Sequence, residues 1–162
     1  CLWQGFPEVN NMRIIRELQK ASSKFSTPDD RVGYGIPNMK LAFSNLLVDY
    51  AISSSTIANC NVTISWSSKD IAAMKYEVER KGPAESVYTK VGTINPQAGT
   101  TLTNRNYQFI NDVTGLTTGN YSYRIRQIID TTAASFTAIY IDTTNINSPT
   151  NCVTVIPPEP FK

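Results

Sequence analysis

Asn61-Val-Thr-Ile-Ser-Trp66 and Asn120-Tyr-Ser-Tyr-Arg-Ile-Arg126 decide the fold. In the first stretch Val62, Ile64 and Trp66 alternate with Asn61, Thr63 and Ser65. In the second, Tyr121, Tyr123 and Ile125 alternate with Ser122, Arg124 and Arg126. A period of two buries one face and wets the other, so each stretch reads as a half-buried β-strand. An indole opposite a Tyr-x-Tyr-x-Ile face is what two sheets packed face to face need to fill the space between them. These six side chains are the expected core of a β-sandwich. The alternative is ordinary strands of some other all-β fold.

Working outward from these strands, five more follow. The first spans 52–57 and the second 61–67, with a loop over 70–73. Met74, Tyr76 and Val78 alternate with Lys75, Glu77 and Glu79 in a third, which Lys81-Gly-Pro83 ends. Residues 87–94 form a fourth, Tyr107 and Phe109 mark a fifth, and Leu116-Thr-Thr-Gly-Asn120 is a turn into the sixth over 121–129. The seventh covers 136–141. Seven short strands separated by turn signals predict a two-sheet sandwich.

Composition narrows the function. The net charge of +2 comes from interspersed signs without a basic block, so no nucleic-acid or anionic-membrane partner is expected. No apolar run approaches the roughly 20 residues of a membrane-spanning helix, and the mean hydropathy is −0.23. The sequence contains no histidine, so this chain alone cannot build a Ser–His or Cys–His nucleophile or a His-rich zinc site. Its three cysteines, Cys1, Cys60 and Cys152, are too scattered for a four-Cys metal cage and leave one possible disulfide and one odd thiol. No cofactor is expected. The opening on Cys1, with neither an initiator Met nor a signal peptide, leads us to expect a fragment.

Residues 1–48 follow a different period. Asn10 or Asn11 suits an N-cap, and Ile14, Ile15, Leu18, Ala21 and Phe25 then fall at helical spacing. This predicts an amphipathic helix of about four turns, stopped near Ser26-Thr-Pro28-Asp-Asp30. After Val32-Gly-Tyr-Gly-Ile-Pro-Asn38, Pro37 suits the first position of a second helix carrying Met39, Leu41, Ala42, Phe43, Leu46 and Leu47.

Cys1-Leu-Trp-Gln4, the loop with Pro7, the Asn-capped helix and Gly33-Tyr-Gly-Ile-Pro37 with Ala42 resemble the closing segment of subtilisin-like serine proteases. In that family the nucleophilic serine opens a long buried helix, and Cys1 to Gln4 would be that helix's last turn. The resemblance places the nucleophile upstream of Cys1 and the family's aspartate and histidine further upstream still. No catalytic residue therefore maps onto this chain, and the implied partner is a catalytic domain of the same protein. A generic helical hairpin capping the β-region is the alternative. The apolar helices also allow self-association.

The strands carry a second resemblance. Trp66, Tyr76-x-Val78, and Leu116 with Tyr121-x-Tyr123-x-Ile125 resemble a fibronectin type III module, with Leu116 and Tyr121 standing where that family places its inter-strand leucine and corner tyrosine. Tyr76-x-Val-x-Arg80 and the 121–127 run are similar to modules appended to secreted proteases of Bacteroidetes. The resemblance implies a chain divided at 1–48, 49–145 and 146–162: protease-end helices, a seven-stranded β-sandwich and a proline-rich linker. It also implies secretion or display on a bacterial cell surface. In that topology Cys60, at the start of the second strand, and Cys152, after the last, lie at the same pole, so a Cys60–Cys152 disulfide is expected and Cys1 stays free in apolar surroundings. The competing class is an adhesin or a carbohydrate- or protein-binding sandwich with a helical cap.

Other candidate sites have plainer readings. Asp29-Asp30 suggests calcium or acid–base chemistry but reads first as solvated turn residues. Glu77, Glu79, Arg124 and Arg126 read as cross-strand ion pairs on a wet face. Trp3 and the exposed tyrosines suggest sugar stacking, although Trp3 is more simply part of a buried protease helix. Asn61-Val-Thr63 and Asn120-Tyr-Ser122 match the N-glycosylation pattern. Asp130-Thr-Thr132 and Asp142-Thr-Thr144 resemble the short O-glycosylation motif of Bacteroidetes.

Overall fold

Alternation of side chains at 61–70 and 119–128 builds the middle of each sheet. In the computed structural model, which describes residues 2–97, 99, 102–129, 139–148 and 152, three helices precede seven strands. They are α1 (Leu2–Gly5), α2 (Asn11–Lys20), α3 (Met39–Asp49), β1 (Ile52–Ala58), β2 (Asn61–Asp70), β3 (Lys75–Lys81), β4 (Thr89–Ile94), β5 (Thr103–Asp112), β6 (Gly119–Ile128) and β7 (Ile139–Ser148). All strand pairings are antiparallel, in the orders β1-β2-β5 and β4-β3-β6-β7. The protein is a mainly β, seven-stranded sandwich.

The β1–β2 hairpin turns on Asn59 and Cys60, both at positive φ (49° and 62°). A two-residue turn needs that hand to match the twist of its strands, and Asn tolerates it without a glycine. Cys60 is held there from two sides: its carbonyl accepts from Val113 N at 2.8 Å, and its sulfur is bonded to Cys152, with the two Cα atoms 5.3 Å apart. Cys1 lies outside the described residues.

Inward alternation fills the space between the sheets. Val62, Ile64, Trp66, Tyr76, Val78, Tyr121, Tyr123 and Ile125 are all buried, with Leu116 half-buried against them. Trp66 meets Tyr76 edge-on at 5.5 Å and stacks on Tyr107 at 5.6 Å, an arrangement that suits aromatic quadrupoles. The Tyr121 hydroxyl donates to the Thr117 carbonyl at 2.6 Å, tying the turn before β6 back to the strand.

The helices make a second core at one end of the sandwich. Leu2, Phe6, Ala21, Ala42, Leu46 and Leu47 bury themselves against Met74 and Ile129, which come from the strand connections. The segment thus folds back on the sandwich. Three sequence expectations need correction. Helix α2 stops at Lys20, not Phe25, because Ser22 Oγ bonds back to Leu18 O at 2.6 Å and the Ser23 and Lys24 amides pair with Ile36 O and Tyr34 O. A serine that bonds back to the previous turn favours leaving the helix. Pro37 lies outside α3, whose N-cap is Asn38, accepting from Leu41 N at 3.1 Å. Strand β7 runs to Ser148, past the expected 141 and into the stretch assigned to the linker, because it pairs with β6 over its whole length.

The disulfide spans 92 residues of sequence. In the chain-entropy view, closing so long a loop stabilises by roughly 4 kcal/mol. A Cys60→Ala/Cys152→Ala variant should therefore unfold at clearly lower urea concentration than the oxidised protein. Equal midpoints would contradict the tether.

Candidate functional site

The last turn of β2 carries polar side chains that are nevertheless buried. Strand alternation sends Ser68 and Asp70 inward and Lys69 outward, yet all three are buried because α1 and the end of α3 cover that end of the sheet. Lys69 Nζ lies 2.5 Å from Glu8 Oε1 and donates to Gly5 O at 3.2 Å. It also sits 5.2 Å from the Phe6 ring centroid and 4.9 Å from that of Tyr50, so its charge meets two π-faces as well as a carboxylate. The Lys69 ammonium, with the Tyr50 hydroxyl beside it, holds the Glu8 carboxyl down to about 2. Burial, followed by that same carboxylate, pushes Tyr50 up to about 12.

Asp70 works on the other face. Its Oδ1 accepts from Arg105 Nη1 at 2.6 Å, and its Oδ2 accepts from the Tyr76 and Tyr107 hydroxyls. Tyr107 also accepts from Gln97 N at 3.2 Å, so the β4–β5 connection is tied to the same carboxylate. Gln127 Nε2 completes the cluster, donating to Lys69 O and the Tyr76 hydroxyl, each at 3.1 Å. Burial, and then the Asp70 carboxylate, raise Tyr107 to about 12, and burial drives Tyr76 up as well. Every charge here has a partner, as burial requires. The arrangement is that of a structural junction between the strands and the helical segment.

The residues singled out from the sequence lie elsewhere. Asp29 accepts from Arg31 N (2.9 Å) and Val32 N (3.0 Å) and pairs with Lys24, which lowers its pKa. It caps a turn, and no metal-ligating group of three side chains occurs among the described residues. Glu77 and Glu79 meet Arg126 (2.9 Å) and Arg124 (2.6 Å) across β3 and β6. Arg124 is also stacked between Tyr88 and Tyr140, 4.0 and 4.1 Å from their ring centroids. Asn61 and Asn120 are exposed on their strands. The 130–132 motif lies outside the described residues.

Trp3 is 59 % exposed in this chain. It belongs to a pattern: ten of the fourteen large hydrophobic side chains exposed among the described residues fall between Trp3 and Val48. Met12, Ile15, Phe25 and Tyr34 line one groove, with Phe25 and Tyr34 stacked at 6.1 Å. Concentrated apolar surface is what contact sites present, and this one is the strongest candidate for function.

Two outcomes test the junction. Asp70→Ala removes the ion pair of Arg105 and the buried carboxylate that the Tyr76 and Tyr107 hydroxyls bond, and should cost about 3–5 kcal/mol of unfolding free energy, read from urea midpoints. Glu8 has a lower pKa folded (about 2) than its ordinary 4.5. Its stabilisation is therefore complete above the ordinary value and is lost as pH falls from there through the folded value. Because Glu8 is 44 % exposed, salt should shrink the effect. Glu8→Gln should flatten the acid fall in urea midpoint, and an unchanged pH profile would remove Glu8 from the junction.

No family model matches the chain, and no curated protein does. Among solved structures, the crystal structure of a penta-heme cytochrome c552 from Thermochromatium tepidum aligns over 85 % of this chain and 50 % of its own, at 5 % identity and a TM-score of 0.35. The chain spans about half the length of that protein, and a likeness at this level carries no argument.

Proposed function

We propose that the chain is the non-catalytic C-terminal part of a secreted, Bacteroidetes-type subtilisin-like serine endopeptidase. In this reading α1 to α3 close the catalytic domain, and the sandwich spaces, stabilises or docks it. The concentration of exposed apolar side chains between Trp3 and Val48 carries the proposal. The helices bury one side on the sandwich and present the other outward, as a segment with a second packing partner does. Each large apolar side chain left in water forgoes roughly 1.5–3 kcal/mol of burial, which is a strong drive to recruit that partner. A disulfide suits the oxidising compartment of a secreted protein. Peptide-bond cleavage by serine acylation belongs to the parent, because this sequence has no histidine to serve as the family's base.

The reading frame upstream of Cys1 tests this directly. It should encode Gly-Thr-Ser within a few helical turns, with the family's Asp and His motifs earlier, and a frame without them overturns the proposal. The chain alone should not label with a fluorophosphonate, whereas the longer polypeptide should. It should also bind a hydrophobic dye or self-associate, and Met12→Glu combined with Ile36→Glu should suppress both. A dye-silent monomer would favour the separate binding-module class.

A further inference from the structure

The outward faces of the two sheets differ in kind. On the four-stranded sheet Lys75, Glu77, Glu79, Arg124 and Arg126 form a lattice of charge. On the three-stranded sheet the outward positions of β1, β2 and β5 carry two charges: Asp112, at the turn end opposite Asn61, and Lys69, at the other end, which the helical segment covers and pairs with Glu8. Towards the other end two rows align across the strands, Ile52–Ser67–Asn106 and Ser54–Ser65–Gln108. The short serine side chains leave a trough of about 480 Å³, walled by Ile52 on one side and by Asn106 and Gln108 on the other. None of the five polar side chains makes a hydrogen bond among the described residues.

Chemistry selects the occupant. A polyanion needs cations, and the trough has none. A dry protein surface would strip water from hydroxyls and amides without replacing their bonds, at about 1–3 kcal/mol for each group left unpaired, while Ile52 is the one outward apolar side chain lining the trough. An uncharged, polyhydroxylated ligand avoids both penalties. The serine hydroxyls donate and accept, the two carboxamides each present a donor beside an acceptor for neighbouring hydroxyls, and Ile52, 71 % exposed, can pack against the C–H face of a sugar ring. Outward side chains recur about 6.8 Å apart along a strand and about 4.8 Å across strands, so the polar groups form a flat comb that can meet several hydroxyls at once, suited to a chain rather than a single sugar. We propose that this trough binds a neutral polysaccharide. The proposal is independent of the protease reading.

Affinity electrophoresis in native gels containing xylan, galactomannan or mixed-linkage β-glucan tests it, with alginate as the anionic control. At least one neutral polymer should retard the full chain, and alginate should not. Ser65→Arg, which places a long cation in the middle of the trough on a side facing away from the core, should abolish the retardation. Gln108→Ala, at the rim, should weaken it about five- to tenfold, the equivalent of one hydrogen bond. Urea midpoints of both variants should match that of the parent, and Gln108→Ala still reports on the site if Ser65→Arg proves destabilising. Retardation by none of the neutral polymers, retardation by alginate alone, or retardation unchanged in both variants would overturn the proposal. A dimer that Ser65→Arg dissociates would assign the face to a second copy and overturn it equally.

Discussion

Two adjacent residues, Lys69 and Asp70, hold the molecule together at the point where its two cores meet. Strand geometry turns their side chains to opposite faces of β2. Lys69 thereby reaches Glu8, Gly5 and the rings of Phe6 and Tyr50 in the helical segment. Asp70 reaches Arg105, Tyr76 and Tyr107 inside the sandwich. One strand end therefore organises both the mouth of the sandwich and the seat of the helices. A register slip of a single residue would exchange the two faces, placing the ammonium among the tyrosine hydroxyls and the carboxylate against aromatic π-faces.

Buried ion pairs add little net stability over apolar residues of the same shape, since desolvation consumes most of the attraction. The gain here lies in specificity. Asp70 is fully buried and must take its hydrogen-bond donors from the protein, which fixes the β4–β5 connection through Arg105 and through the Tyr107–Gln97 contact. Lys69 likewise admits few alternative placements of Glu8. The apolar contacts of Phe6, Leu46 and Leu47 supply the drive to dock the helices. The charges select where they dock.

Much of this was legible in the sequence, but not the junction itself. Alternation revealed β2, β3 and β6 because Val62, Ile64, Trp66, Tyr76, Val78, Tyr121, Tyr123 and Ile125 each face the interior of a two-sheet stack. The same rule ended β2 at Ser67 and began a loop at Asp70, since Ser-Lys-Asp breaks the apolar alternation. It is a strand whose outward face the helices cover, and nothing local in 68–70 reports cover supplied from residues 5–8 and 50. The overlong reading of α2 has a similar origin. Ala21 and Phe25 continue the helical period, but Ala21 is buried beyond the helix end and Phe25 is 47 % exposed, because the backbone at 22–24 pairs with 34–37. The exposed trough on β1, β2 and β5 was also invisible. Its serines and amides read only as the wet face of a strand, and their lack of charge emerges once the register sets them side by side.

The two cores place different demands on their surroundings. The sandwich buries aromatic and β-branched residues from both sheets and is closed by a disulfide between its hairpin turn and Cys152. The helical segment is one-sided: Ala42, Leu46 and Leu47 face the sandwich, while Met39, Leu41 and Val48 of the same helix face outward. Short helices are marginal in water and owe their stability to what they pack against. Their order therefore derives from the sandwich through the Lys69 contact and the apolar surface around it. Opening of the segment should be cheaper than unfolding of the strands, because the least stable regions are those with few buried apolar contacts. A segment that is anchored on one side and apolar on the other can adjust to a further surface without disturbing the sandwich that carries it.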